Sequence, residues 1–255
     1  MTTGVLIYCF DTPEVNYHLL AERCVAQIRK YLKLEITIVT NFETFEKFNH
    51  LGMINWKLVE NKVGNRRSYR GQSIAWHNLE RSLAYEHSPY DITILMDCDY
   101  FVFTNNLLTY TNTAYDFLLH NKVYDLTGEN MIEGKNESTV PIVWATVTIF
   151  RKSEFAKHVF DLIQHIQKYY EHYRKLYRIK YTNYRNDFAF AIALHQLNGF
   201  NSHKNFIPTP MAMLAHEVDV LDMSDKAITF KYNSKVNMVK EQDVHVMDKE
   251  FVNNG

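Results

Sequence analysis

Asp91-Ile-Thr-Ile-Leu-Met-Asp97-Cys98-Asp99-Tyr-Phe-Val-Phe103 is the stretch that decides how this chain is read. An apolar run, Ile92 to Met96, ends abruptly in two carboxylates one residue apart. The run is short, rich in β-branched side chains and preceded by the break signal Ser88-Pro89-Tyr90, so it reads as a buried strand. Carboxylates just past such a strand lie outside its carboxyl end, where open α/β sheets bind ligands. Two ionised carboxylates this close repel each other unless a cation lies between them. Mg²⁺ and Mn²⁺ take oxygen ligands and commonly hold substrate phosphates as well. An isolated Asp-x-Asp is a common triplet and reads as a solvated turn. The buried strand in front and the apolar Tyr100–Phe103 behind favour a metal site at Asp97 and Asp99.

The flanking segments predict an α/β fold. Gly4–Phe10 is a strand by composition, and Asp11-Thr12-Pro13 carries a helix-start signal. Tyr17, Leu20, Cys24, Val25, Ile28 and Leu32 recur at helical spacing and give one buried face. Glu35–Thr40 and Trp56–Glu60 read as further strands, so the chain opens with a βαβ unit and a mostly parallel sheet. Phe10, Asp11 and Thr12 then stand on the sheet edge that carries Asp97 and Asp99, placed to meet a nucleoside; a helix N-cap explains Asp11 or Thr12 equally well. Lys62–Gln72, with Arg66 and Arg70, is a basic loop before a predicted helix from about Ser73 to His87. It suits a diphosphate or an acceptor phosphate, or else a solvated surface.

Residues 105–141 read as connecting structure, with a short helix near Thr113–His120 and a loop at Gly134–Ser138. Pro141–Phe150 is a long strand whose Trp144 lines a pocket or packs in the core. Ser153 caps a long amphipathic helix. Its tail, Lys168–Arg185, interleaves tyrosines 169, 170, 173, 177, 181 and 184 with Lys168, Arg174, Lys175, Arg178, Lys180 and Arg185. Basic groups answer phosphates and aromatic faces stack on bases, so this stretch hints at a polyanionic acceptor. The plainer reading is an amphipathic helix end. Asn186-Asp187 opens a buried helix that Asn198-Gly199 ends. Asp187 there either complements the helix dipole or accepts a proton from an acceptor hydroxyl. Short strands follow at Met211–Ala215 and Ala227–Tyr232. His245 beside a metal site is a plausible nitrogen ligand, and Lys249 a point charge for phosphate.

Composition narrows the classes. With 255 residues, 46% of them hydrophobic, one α/β domain can bury a large core. A formal net charge of -1 excludes a generic polyanion binder, so any nucleic-acid contact must be local. The odd cysteine count, with Cys9, Cys24 and Cys98 lacking metal spacing, argues against a disulfide scaffold and predicts a reducing, cytoplasmic setting. No run is long enough to span a bilayer, and no signal peptide is evident, so no membrane partner is expected.

Together these parts resemble the GT-A-fold glycosyltransferases, especially a Glyco-transf-8-like layout. The matching features are Phe10-Asp11-Thr12 after the first strand, Asp97-Cys98-Asp99, Val143-Trp-Ala-Thr146, Asn186-Asp187, and His245-x-x-x-Lys249. The usual His-Phe-x-Gly-x-x-Lys-Pro ending is absent. The resemblance implies one domain over residues 1–255. Residues 1–104 would bind the nucleotide sugar, and residues 105–255 the acceptor, with a C-terminal metal and diphosphate segment. It implies a metal-dependent hexosyl- or pentosyltransferase using Mn²⁺ or Mg²⁺ on Asp97, Asp99 and His245, with Lys249 on the diphosphate of a UDP-sugar. Asp187 would be the base if the reaction inverts. Trp144, Arg174, Arg178 and Arg185 would meet the acceptor. The chain also looks like small phage enzymes that glycosylate hydroxymethylated cytosine in DNA; a saccharide acceptor is the alternative. A nucleotidyltransferase and a non-catalytic nucleotide-binding module are the readings from other classes.

Overall fold

Alternate residues of the two central strands serve two different cores. The computed structural model describes residues 1–60, 65–69, 71–128, 138–215, 218–249 and 251. Strands β1 (Thr3–Tyr8) and β6 (Ile92–Asp97) pair in parallel, from Thr3 opposite Ile92 to Tyr8 opposite Asp97. Val5, Ile7, Ile94 and Met96 face one apolar cluster, and Leu6 and Leu95 the other. This is the period-two alternation of a strand buried on both faces. Helix α1 (Tyr17–Tyr31) covers the first side with Leu20, Ala21, Cys24, Val25 and Ile28. Helices α5 (Glu154–Lys168) and α7 (Asn186–Leu197) cover the second. Helix α7 is apolar nearly all round and is accordingly buried.

The main sheet has six strands in the order β3-β2-β1-β6-β10-β8. Here β2 is Glu35–Thr40, β3 Asn55–Leu58, β8 Phe117–His120 and β10 Trp144–Arg151. Its first four strands run parallel, and β10 is antiparallel to both neighbours. A second sheet, β7-β15-β11-β9, is built from β7 (Tyr100–Phe101), β9 (Val123–Asp125), β11 (Met211–Leu214) and β15 (Val244–Val246). Its register sets His245 opposite Tyr100, one residue from Asp99. A two-stranded hairpin joins β4 (Asn65–Tyr69) to β5 (Gln72–Trp76), and a meander contains β12 (Asp219–Met223), β13 (Ala227–Tyr232) and β14 (Lys235–Lys240). The short helices are α2 (Phe42–Phe48), α3 (Ala84–His87), α4 (Asn106–Thr111) and α6 (Tyr170–Leu176).

Several local expectations change. The first helix starts at Tyr17, because the Thr12 hydroxyl accepts from the backbone N–H groups of Glu14 and Val15 and closes a separate turn first. The helix expected from Ser73 to His87 is replaced by β5, a 3₁₀ turn at Glu80–Leu83, and α3. Gly71, at φ 77°, helps turn the hairpin, whose cross-strand bonds override the helical spacing of Ile74, Leu79 and Leu83. The helix expected near Thr113–His120 is a strand there, since Phe117, Leu118 and Leu119 are buried between two clusters and paired to β10. The loop expected at Gly134–Ser138 lies outside the described residues except for Ser138. Among the described residues, no helix is long and apolar enough to cross a membrane. All three cysteines are buried free thiols.

Gly4 is a packing requirement. A Cβ at that position would enter the Tyr90 ring. The ring is held by its hydroxyl, 2.8 Å from the Thr37 hydroxyl in the core. Gly4→Ala is expected to cost about 1–3 kcal/mol of overpacking strain, read as a lower urea midpoint. An unchanged midpoint would contradict this packing.

Candidate active site

The site forms where β6 ends. Asp97 closes that strand, and Asp99 follows in the turn to β7. Asp99 is 7% exposed. A carboxylate so buried needs compensating charge and hydrogen bonds. Lys249, just past β15, pairs with Asp99 and donates to the Val246 carbonyl at 2.7 Å. His245 Nε2 stands 3.3 Å from Asp99 Oδ1. Burial alone would raise the Asp99 carboxyl; the charges of Lys249 and His245 outweigh it and hold it well below the usual carboxylate range.

Asp97 is half-buried and takes its counter-charge from Arg81 in the 3₁₀ turn. Arg81 also donates to the Ala145 and Thr146 carbonyls on β10. Burial raises the Asp97 carboxyl, Arg81 opposes the shift, and the neighbouring Asp99 adds to it.

Beside this pair lies the start of α7. Asp187 accepts from the Ala145 N–H and from Arg185, each at 2.9 Å. A buried amide network fixes its surroundings. Asn65 donates to Asn78 Oδ1 (3.1 Å) and to the Tyr184 carbonyl (2.7 Å), and Asn186 donates to the Asn78 carbonyl (3.0 Å). The β4–β5 hairpin is thereby tied to the N-terminus of α7, and a cleft opens between them and the acidic pair.

No protein-family model matches the chain, and no curated protein does. Solved structures do. Galactosyltransferase LgtC in complex with donor and acceptor sugar analogs matches with a TM-score of 0.50 and 12% identity, covering 75% of this chain and 70% of that one. An active-site mutant of LgtC matches at 0.51, with 12% identity over 75% and 69%. Mouse xyloside xylosyltransferase 1 in its apo form matches at 0.48, with 11% identity over 81% and 84%. The chain has a GT-A fold.

Within the GT-A fold, Asp97, Asp99 and His245 place their ligand atoms within 4.8 Å of one another. Asp99 Oδ1 is buried without a well-formed hydrogen bond and has the His245 ring 3.3 Å away, which suits the two to share a cation. Two carboxylates and an imidazole form a hard oxygen and nitrogen donor set that fits Mn²⁺ or Mg²⁺.

The other expected residues divide. Phe10 and Trp144 line the cleft, as do Arg185 and Asp187. Asp11 and Thr12 do not. The Asp11 carboxylate accepts from the His18 N–H (2.9 Å) and ring (2.7 Å) and from Lys47 (2.7 Å), which fixes the turn before α1. Arg66 bonds Ser73 along the hairpin, while Arg67, its neighbour, faces the cleft. Arg70 lies outside the described residues.

The tyrosine-rich stretch does not form a stacking face. Tyr170, Tyr173, Tyr177 and Tyr184 are buried in the second core, and Tyr169 and Tyr181 are the exposed pair. Arg174 is paired to Glu171 on α6, and Arg178 sits past that helix at φ 55°. Neither lines the cleft. The sequence reading missed Arg81, Arg67, Trp76 and Asn78. Arg81 carried no usable signal, because its partner Asp97 meets it only through the fold.

Removing the Asp99 charge takes its carboxylate from a buried ammonium. Asp99→Asn is expected to destabilise the metal-free protein by about 3–5 kcal/mol, with Lys249→Met added to it recovering much of the loss. Equal urea midpoints for native protein and Asp99→Asn would contradict the pairing.

Proposed function

We propose that this chain is a metal-dependent glycosyltransferase that moves a sugar from a nucleotide sugar to an acceptor hydroxyl. The observation that carries this reading is the convergence of Asp97, Asp99 and His245 at the carboxyl end of β6 in a GT-A fold, with Arg81 and Lys249 beside them. Asp97, Asp99 and His245 would hold Mn²⁺ or Mg²⁺. Bound there, the ion supplies charge neutralisation for a departing diphosphate.

The chain's own residues supply the rest. Lys249, buried against Asp99 and the Val246 carbonyl, would turn its ammonium to a diphosphate oxygen once an ion takes Asp99. Arg81 opposes the rise that burial imposes on the Asp97 carboxyl and is itself oriented by two β10 carbonyls. Phe10 offers an apolar face to the nucleoside, and uridine is the first base to test because of the family resemblance. Asp187 has both oxygens engaged, by a backbone N–H and by Arg185. We therefore assign it to holding a sugar hydroxyl with its remaining acceptor capacity, rather than to taking a proton. The acceptor is not assigned through residues 168–185, whose tyrosines are largely core. A hydroxymethylcytosine acceptor then has only the sequence resemblance behind it.

In a thermal-shift panel of nucleoside diphosphates, one nucleotide is expected to raise the melting temperature with Mn²⁺ and not with EDTA. The gain would approach about 2.7 kcal/mol at a hundredfold excess over Kd and would be lost in Asp97→Asn. A flat panel overturns the proposal. Asp187→Ala is expected to keep that metal-dependent stabilisation while lowering sugar transfer or donor hydrolysis by about 100-fold. Unchanged turnover would remove Asp187 from the site.

A further inference from the structure

The cleft has a second basic region that the diphosphate does not account for. It lies on the hairpin and α7 side of the cleft, on elements other than the β15 segment that carries Lys249. In the β4–β5 register, Asn65 stands opposite Trp76 and Arg67 opposite Ile74. Strand alternation therefore turns Arg67 and Trp76 to one face and Arg66 and Ser73 to the other. The side-chain contacts agree. The Arg67 guanidinium lies 5.8 Å from the Trp76 ring centroid and donates to the Tyr17 hydroxyl at 2.7 Å, whereas Arg66 bonds Ser73.

Arg185 reaches the same indole from the N-terminus of α7, with its guanidinium 6.0 Å from the centroid. Two like charges over one aromatic ring repel each other, and the Asp187 carboxylate answers that of Arg185 in part. One arm of Arg185 is committed to Asp187. Its Nε is buried with no hydrogen-bond partner. A buried donor in that state is costly unless a ligand supplies the acceptor. The hairpin cannot relax away, because Asn65 and Asn78 bind the Tyr184 carbonyl directly before Arg185.

We propose that Arg67 and Arg185, over Trp76, form an anion subsite for a carboxylate or phosphate group that a substrate carries in addition to the donor diphosphate. The inference rests on the nucleotide-sugar reading of the cleft and narrows its substrates to those bearing a second anionic group. A planar guanidinium fork matches either oxyanion. The group belongs either to the donor sugar, as a uronic acid, or to the acceptor, as a phosphate or carboxylate beside the reacting hydroxyl.

The test titrates inorganic phosphate into the protein saturated with Mg²⁺ and the nucleoside diphosphate that stabilises it, and follows tryptophan fluorescence. Native protein is expected to give a saturable response. Arg67→Gln is expected to weaken it at least tenfold, and Arg66→Gln, which removes the same charge from the opposite face, to leave it unchanged. No saturable response, or equal weakening by both variants, overturns the subsite. The nucleotide's own metal-dependent stabilisation is measured on the same samples. Its presence without a phosphate response sinks the subsite alone, and its absence sinks the underlying glycosyltransferase reading.

A second comparison separates the sources. Tighter binding of a nucleotide-linked uronic acid than of its uncharged hexose counterpart, abolished by Arg67→Gln, places the anion on the donor. Arg67-dependent binding of a sugar phosphate on top of an uncharged donor places it on the acceptor. Failure of both overturns the proposal.

Discussion

A carboxylate buried at the end of the central strand is the constraint around which this molecule is arranged. Asp99 is nearly inaccessible, and an ionised carboxyl in that position is tolerable only with cations against it. Its ammonium partner and the imidazole beside it come from distant sequence. His245 and Lys249 reach Asp99 because β15 pairs with β7 immediately after the acidic turn. Arg81 reaches Asp97 because a 3₁₀ turn packs beside β6 and β10. The second sheet and that turn thus serve the charge balance of four residues, Asp97, Asp99, Arg81 and Lys249. The same balance makes the site suited to a divalent ion. A carboxylate held ionised by a protein cation, as Asp99 is by Lys249, could exchange that partner for a metal where a diphosphate takes the displaced ammonium.

The opposite wall is organised by neutral polar groups. Asn65, Asn78, Asn186 and Tyr184 satisfy one another in a buried network, where hydrogen bonds are strong and unpaired groups expensive. The network fixes the hairpin against α7. Asp187, Arg185, Trp76 and Arg67 consequently face the cleft as parts of one rigid wall. The GT-A fold supplies the shelf at the sheet edge, and this hairpin shapes what rests on it.

Much of this was legible in sequence, and the remainder fails for physical reasons. The β6 strand and its Asp-x-Asp ending, the opening βαβ unit and the Asn186–Leu197 helix carry their signal in local composition and period, which a single segment displays by itself. His245 and Lys249 were read from side-chain chemistry beside a metal site and from a resemblance, not from any strand signal, since β15 is three residues long and its role comes from a partner strand. The hairpin at 65–76 was read as loop and helix because Ile74, Leu79 and Leu83 happen to fit a helical spacing; cross-strand pairing decides otherwise. Adjacent arginines could not be told apart until the register put Arg66 outward and Arg67 inward. The tyrosine-rich stretch was the instructive case. Tyr170, Tyr173 and Tyr177 recur at three- and four-residue spacing, the mark of a buried helical face, and the amphipathic reading of them holds over the polyanion that the basic residues between them suggested.

The central claim is that Asp97, Asp99 and His245 are the ligands of a divalent ion that replaces protein cations when the donor diphosphate binds. The most direct measurement is an anomalous difference map from crystals grown with Mn²⁺ and the stabilising nucleoside diphosphate. The account requires a manganese peak within bonding distance of all three side chains, with the Lys249 ammonium moved from Asp99 to a phosphate oxygen. A nucleotide bound with no peak there, and Lys249 and Arg81 still paired to the two aspartates, would contradict it.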